Sequence, residues 1–187
     1  MDAWGLPKTA TVGGKEYLIN TDFRDVLEIM KYLNDSSRPE YIRWQIALGL
    51  FFEGEIPTDC QTEAMAYLAE FISYGEPEGK PGPKLMDWEQ DAQIIIADVT
   101  KVAGREIREL KYLHWWTFLS YFYGIGEGQL STIVSIRKKK SSGKKLEKWE
   151  EEFYRANKSK VEFRKPKTAE DAAAQEYFNK WLGGGNP

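Results

Sequence analysis

Metal and redox chemistry find almost nothing to work with in this chain. Cys60 is the only cysteine and His114 the only histidine among 187 residues. A structural zinc site draws four ligands chiefly from those two residue types, so one of each nearly excludes it. An internal disulfide is impossible, which suits a reducing compartment. Long apolar runs are equally scarce. The richest, Ile46 to Phe52, is interrupted by Gly49 and stops at Glu53, well short of the roughly 20 residues that cross a membrane as a helix. The first residues, Met1-Asp2-Ala3-Trp4-Gly5, offer no basic stretch followed by an apolar one, so no secretory signal is expected.

Catalytic motifs are missing too. Gly13-Gly14-Lys15 lacks the spacing of a P-loop. Gly124-Ile125-Gly126-Glu127-Gly128 has no strand before it, as a dinucleotide fold requires, and reads as a turn between helices. A triad around His114 would need a serine or cysteine brought from elsewhere in the fold. Its neighbours Trp115 and Trp116 suggest a packed ring whose nitrogen is satisfied by backbone. Glu89, Asp91, Asp98, Glu147, Glu150, Glu151 and Glu152 read as solvated helix faces, since an acid–base pair needs two carboxyls in a cleft with separated pKa values. No catalytic, cofactor-binding or metal-binding residue is assigned.

What the chain does have is apolar bulk and charge. Hydrophobic residues make up 42% and aromatics 14%, with seven tryptophans, enough for a compact core. Charged residues make up 29% and mean hydropathy is −0.56, so the surface is well solvated. Formal net charge is −3, which argues against a protein devoted to nucleic acid.

The pattern predicts a mainly α fold: a multi-helix globular domain with a small N-terminal β-hairpin. Thr9, Thr11 and Val12 lead into Gly13-Gly14 and on to Tyr17, Leu18 and Ile19, a hairpin over 8–20. Thr21 or Asp22 caps a first helix striped by Phe23, Val26, Leu27, Met30 and Leu33. Pro39 opens a second, striped by Ile42, Ile46, Ala47 and Leu50. A third starts near Asp59, with Ala64, Met65, Leu68, Ala69 and Ile72 inward and Gly75 at its close. Residues 75–86 are dense in glycine and proline and form a linker or loop. Asp87 caps a fourth helix striped by Trp88, Ala92, Ile95, Ile96, Val99 and Val102. A fifth, Lys111 to Tyr123, is apolar nearly all round and belongs at the centre. Leu130, Ile133, Val134 and Ile136 open a sixth, and Trp149, Phe153 and Tyr154 share one side of a seventh over Leu146 to Lys158. A charged linker over 159–167 leads to a last short helix, capped by Thr168 and carrying Ala172, Tyr177, Phe178, Trp181 and Leu182. The organisation read from these is 1–74 hairpin and helices, 75–86 linker or loop, 87–160 helices with the aromatic centre, and 161–187 linker and short helix.

One run has a ligand chemistry of its own. Arg137, Lys138, Lys139, Lys140, Lys144, Lys145 and Lys148 place seven cations in twelve positions, able to grip phosphates. The acidic residues that follow cancel much of this field, and no aromatic interleaves the run as single-strand binding favours. A solvated loop or protein-docking surface is the competing reading.

The element Tyr112-Leu113-His114-Trp115-Trp116-Thr117-Phe118-Leu119 is followed, after the glycine-rich turn, by Ser131-Thr132-Ile133-Val134-Ser135-Ile136-Arg137. Before it lies the acidic-apolar stretch from Asp91 to Val102, and the hairpin segment Gly14-Lys15-Glu16-Tyr17 leads to Thr21-Asp22-Phe23-Arg24. This succession resembles the phage "gene product fifteen" family, over most of residues 8–160. The resemblance implies a helical, non-enzymatic accessory protein of phage tail assembly, working in the bacterial host cytoplasm. Its implied role is a chaperone of the tape-measure protein, with the tail tube protein a second candidate partner. Two alternatives stand beside it: a nucleic-acid-associated phage protein using the basic run, and a structural tail component. Self-association is left open, and no cofactor and no membrane partner is expected. A chaperone of a long amphipathic helix needs an apolar groove, and Trp44, Phe51, Phe52, Phe71 and Tyr74 are candidates to line one, or else complete an ordinary core.

Overall fold

Two glycines in succession set the first element. The computed structural model describes residues 4–75 and 82–164, and in it Gly13 and Gly14 take φ of 57° and 74°. They form the tight turn between β1 (Thr9–Val12) and β2 (Lys15–Leu18), antiparallel with Val12 opposite Lys15 and Thr9 opposite Leu18. Ala10, Val12 and Tyr17 face inward while Thr11, Lys15 and Glu16 face solvent, the alternation a half-buried ribbon requires. A two-stranded sheet is marginal alone, and this one is held from outside. The Gly13 N–H donates to Glu63 Oε2 at 2.9 Å, and the Tyr67 hydroxyl donates to Thr9 O at 3.1 Å.

Eight α-helices follow among the described residues: α1 (Phe23–Leu33), α2 (Glu40–Phe51), α3 (Gln61–Ile72), α4 (Ala92–Ala103), α5 (Trp115–Tyr123), α6 (Gln129–Ser141), α7 (Lys148–Ala156) and α8 (Lys158–Val161). The mainly α architecture with one N-terminal hairpin is as the sequence predicts. The inward faces are shifted in places. α1 also buries Ile29, α2 buries Ala47, Leu48 and Phe51 while Leu50 is 37% exposed, and α3 buries Phe71 while Ala69 faces solvent. α2 and α3 carry apolar residues on more than one side, so periodicity alone does not say which side meets the core.

Three boundaries also differ from expectation. α4 begins at Ala92 because Asp87 instead caps a separate turn, its Oδ1 accepting from the N–H groups of Glu89 and Gln90 at 2.9 and 2.7 Å. α5 begins at Trp115 because residues 113–115 are held extended against the start of α1. Phe23 N–H donates to Leu113 O at 2.9 Å and Trp115 N–H to Thr21 O at 2.7 Å. The expected seventh helix is broken at Asn157 into α7 and α8, and it turns Glu150 inward while Trp149 is 53% exposed.

The main core gathers Phe51, Phe71, Trp115 and Phe118 with residues of the hairpin and α1 to α5. Both indoles of α5 cap the end of α3: Trp115 Nε1 donates to Ile72 O and Trp116 Nε1 to Phe71 O, each at 3.0 Å. Buried indoles thus satisfy orphan helix carbonyls. A second, smaller cluster joins Ile133 and Ile136 of α6 to Val161 of α8. Among the described residues no helix is long and apolar enough to cross a membrane. Residues 82–87 carry no regular secondary structure. The helix expected from Thr168, and part of the glycine- and proline-rich segment, lie outside the described residues.

Candidate functional site

His114 is committed to structure. It is 2% exposed and caps α5, Nδ1 accepting from the Trp116 N–H at 3.1 Å. With Nδ1 an acceptor, Nε2 carries the proton and donates to Pro7 O at 3.0 Å. The ring packs edge-on to Phe71 and Trp116. Burial, the largest influence, pushes its pKa below the ordinary 6.5. Cys60 is a free thiol, held up in pKa first by desolvation and then by Asp59, the opposite of an activated nucleophile. Among the described residues no three His, Cys, Asp or Glu side chains are placed to hold a metal ion.

An open groove lies between α2 and α3. Glu40, Tyr41, Trp44, Gln45 and Leu48 line it from α2, and Gln61 and Met65 from α3, around about 480 Å³. The α2 residues fall at helical spacing on one face. Tyr41 is 66% exposed, while Trp44 and Met65 are half-buried against the core. Of the five aromatics singled out from sequence, only Trp44 lines the groove. Phe51, Phe52 and Phe71 are at most 2% exposed and belong to the core, where the inward turn of α2 and α3 puts them. Tyr74 is half-buried at the end of α3 with φ 61°, edge-on to Trp116. Tyr41 was missed, although its position three residues before Trp44 was the available signal.

The basic run is divided in two. Arg137 is 5% exposed and lies inside the fold. Its five N–H groups all find acceptors: Val161 O, Leu85 O, Asp91 Oδ2, Asp91 Oδ1 and Lys160 O, between 2.6 and 3.0 Å. Its guanidinium also covers the Phe163 ring at 4.1 Å. Asp91, expected on a solvated face, is 0% exposed because it forms this two-pronged pair. Glu150 is likewise buried at 1%, 2.7 Å from Lys139 Nζ. The Lys139 hydrogen bond holds the Glu150 carboxyl below the usual carboxylate range. Lys140 sits 3.6 Å over the Tyr154 ring and 3.6 Å from Glu162. Lys138, Lys144, Lys145 and Lys148 remain exposed.

A match to the bacteriophage Gp15 protein family spans residues 5–163. The chain belongs to that family. No curated protein and no solved structure matches it. The span relevant to the Gp15 family takes in every described helix and strand, the α2–α3 groove and the Asp91–Arg137 pair, and it ends on Phe163, the ring beneath Arg137. The residues just before that end are clamped from two sides. Arg137 holds the Lys160 and Val161 carbonyls. The Gln90 side-chain amide donates to Glu162 O at 2.7 Å and accepts from Arg164 N–H at 2.8 Å. This clamp borders a cavity of about 630 Å³ lined by Gln90, Ile94, Lys158, Lys160 and Arg164, among others.

Proposed function

We propose that this bacteriophage protein is a non-enzymatic tail-assembly factor, a chaperone that holds a helical segment of the tape-measure protein until the tube forms around it. The observation that carries the reading is the α2–α3 groove. Tyr41, Trp44, Leu48 and Met65 give it an apolar floor flanked by Glu40, Gln45 and Gln61, the arrangement by which an amphipathic helix is seated in a groove. Exposed aromatics of this kind are the residues that dominate binding energy when a partner covers them. Family membership supplies the bacteriophage setting, and the tail-region role and host cytoplasm follow from the resemblance described above. The commitment of His114 to a helix cap and the raised pKa of Cys60 both favour binding over catalysis. Co-expression with the tape-measure protein of the same phage is the test. Stable co-purification, with the tape measure soluble only in this protein's presence, is expected. A tape measure that behaves identically without it would end the reading.

A second reading has one observation in its favour: Lys138, Lys144, Lys145 and Lys148 are exposed at the α6–α7 turn. A nucleic-acid partner there would bind with strong salt dependence and weaken as these lysines are replaced. The burial of Arg137 and the pairing of Lys139 reduce the field available to it.

A further inference from the structure

The cavity bordered by the Gln90 clamp carries unmatched positive charge. Lys158, Lys160 and Arg164 line it and are exposed. Among the described residues none of the three forms an ion pair within 4 Å. The two carboxylates in the same wall are engaged elsewhere. Asp91 is paired with Arg137. Glu162 accepts from the Tyr154 hydroxyl and lies 3.6 Å from Lys140 Nζ. The apolar part of the wall is Ile94 and Phe163, both half-buried. Ile94 also packs on the second core cluster, whose buried members are Ile133, Ile136 and Val161. Cations therefore stand beside an apolar surface that is only partly covered.

The sequence that follows Arg164 has the complementary pattern. On the helix expected from Thr168, Ala174, Tyr177, Phe178, Trp181 and Leu182 form one stripe. Glu170 and Asp171 continue that stripe into the first turn, all seven falling within roughly 140° at 100° per residue. Gln175, Glu176, Asn179 and Lys180 take the opposite side. Two carboxyls on the apolar side of an amphipathic helix suit a surface that is cationic at one end and apolar beyond. Reach favours the cavity as that surface. Arg164 ends the described residues and is itself part of the wall. Glu170 is six positions further on, so its Cα lies at most about 22 Å away even along a fully extended chain. A tether this short supplies an effective concentration of about millimolar, so contacts that are weak one by one suffice. We propose that segment 168–182 of this chain docks as a helix in the cavity between α4 and α8. Glu170 and Asp171 then meet Lys158, Lys160 and Arg164, and the aromatic stripe runs on over Ile94 and Phe163. The inference is independent of the α2–α3 groove.

Two measurements on the full chain test the docking. A carbodiimide joins a lysine to a carboxylate in contact with it and adds no spacer. Mapped by mass spectrometry, it should link Lys158 or Lys160 to Glu170 or Asp171 within one chain. Hydrogen exchange then follows the amides of 172–182 in the wild type and in charge-reversed variants. Lys158→Glu/Lys160→Glu should lower their protection about tenfold, and Glu170→Lys/Asp171→Lys should do the same. Combining all four substitutions restores opposite charge and should recover most of the protection. Both lysine side chains are exposed, and the Lys160 carbonyl that Arg137 uses belongs to the backbone, so the variants keep the fold; a cooperative melt checks this.

Amides of 172–182 that exchange as fast as an unstructured peptide in the wild type overturn the proposal. Protection that neither charge reversal moves places the segment on some other surface and also overturns it. A combined variant no better than the separate ones shows that the charges do not meet, with the same consequence. Cross-links found only between chains, with protection that rises with protein concentration, overturn the intrachain docking in favour of a second copy.

Discussion

Removing one partner of the Asp91–Arg137 pair leaves the other charged inside the protein, with side-chain exposures of only 1% and 4%. Such losses cost about 3–5 kcal/mol. Arg137→Met and Asp91→Asn are each expected in that range by denaturant unfolding, with the double variant well short of their sum. Arg137→Lys should not restore stability, since three ammonium donors cannot serve acceptors arranged for a five-donor fork. Costs near zero for the single variants would contradict the placement. Nothing in the sequence separated Arg137 from the lysines beside it. A run of cations looks solvated, and what distinguishes one member is a carboxylate 46 positions away. His114 was readable, because its tryptophan neighbours implied packing. Its burial has a pH consequence. The folded pKa is depressed below the unfolded value of 6.5, so the unfolded chain binds the proton first. The neutral ring's contribution to stability is fully present above about pH 6.5 and is lost as pH falls through the interval below it. The melting temperature should hold steady from about pH 8 to 7 and decline toward about pH 5. His114→Asn, which keeps a capping acceptor, should flatten that decline; an unchanged slope would refute the assignment.

At the scale of the element, most helices were readable because their apolar stripes are long and their breakers strong. Their ends were not. α5 starts four residues later than the sequence suggests, since the start of α1 recruits 113–115 into an extended pairing. No local pattern announces such a contact. The hairpin shows the reverse case, a local signal with a tertiary addition. Gly-Gly predicted the turn, but Gly13 is also required by packing: a Cβ there would lie 2.5 Å from Cys60 Sγ, while at Gly14 it would meet nothing. Both positions have positive φ, so alanine at either carries about 1–2 kcal/mol of backbone strain. Gly13→Ala should cost distinctly more than Gly14→Ala in unfolding free energy, and Cys60→Ala should recover the excess. Equal costs would show that the hairpin shifts freely on α3. The groove belongs to this scale as well. Aromatic bulk alone does not distinguish Trp44, which lines the groove beside Tyr41, from Phe51 and Phe52 at the end of α2, which turn to the core.

The whole molecule is electrically lopsided. Residues 1–136 carry 21 Asp and Glu against 12 Lys and Arg, and residues 137–164 carry 5 against 11. A net charge of −3 conceals this. The opposition is partly used within the fold, where Asp91 and Arg137 join the two regions. In this bacteriophage Gp15 family protein the α2–α3 groove is the surface on which the proposed function rests. The most direct test is co-expression of the tape-measure protein with the wild-type chain and with a Tyr41→Glu/Trp44→Glu variant, each confirmed folded by its cooperative melt. The wild type should co-purify with a soluble tape measure and the folded variant should not. Equal co-purification by both would contradict the groove as the place of binding.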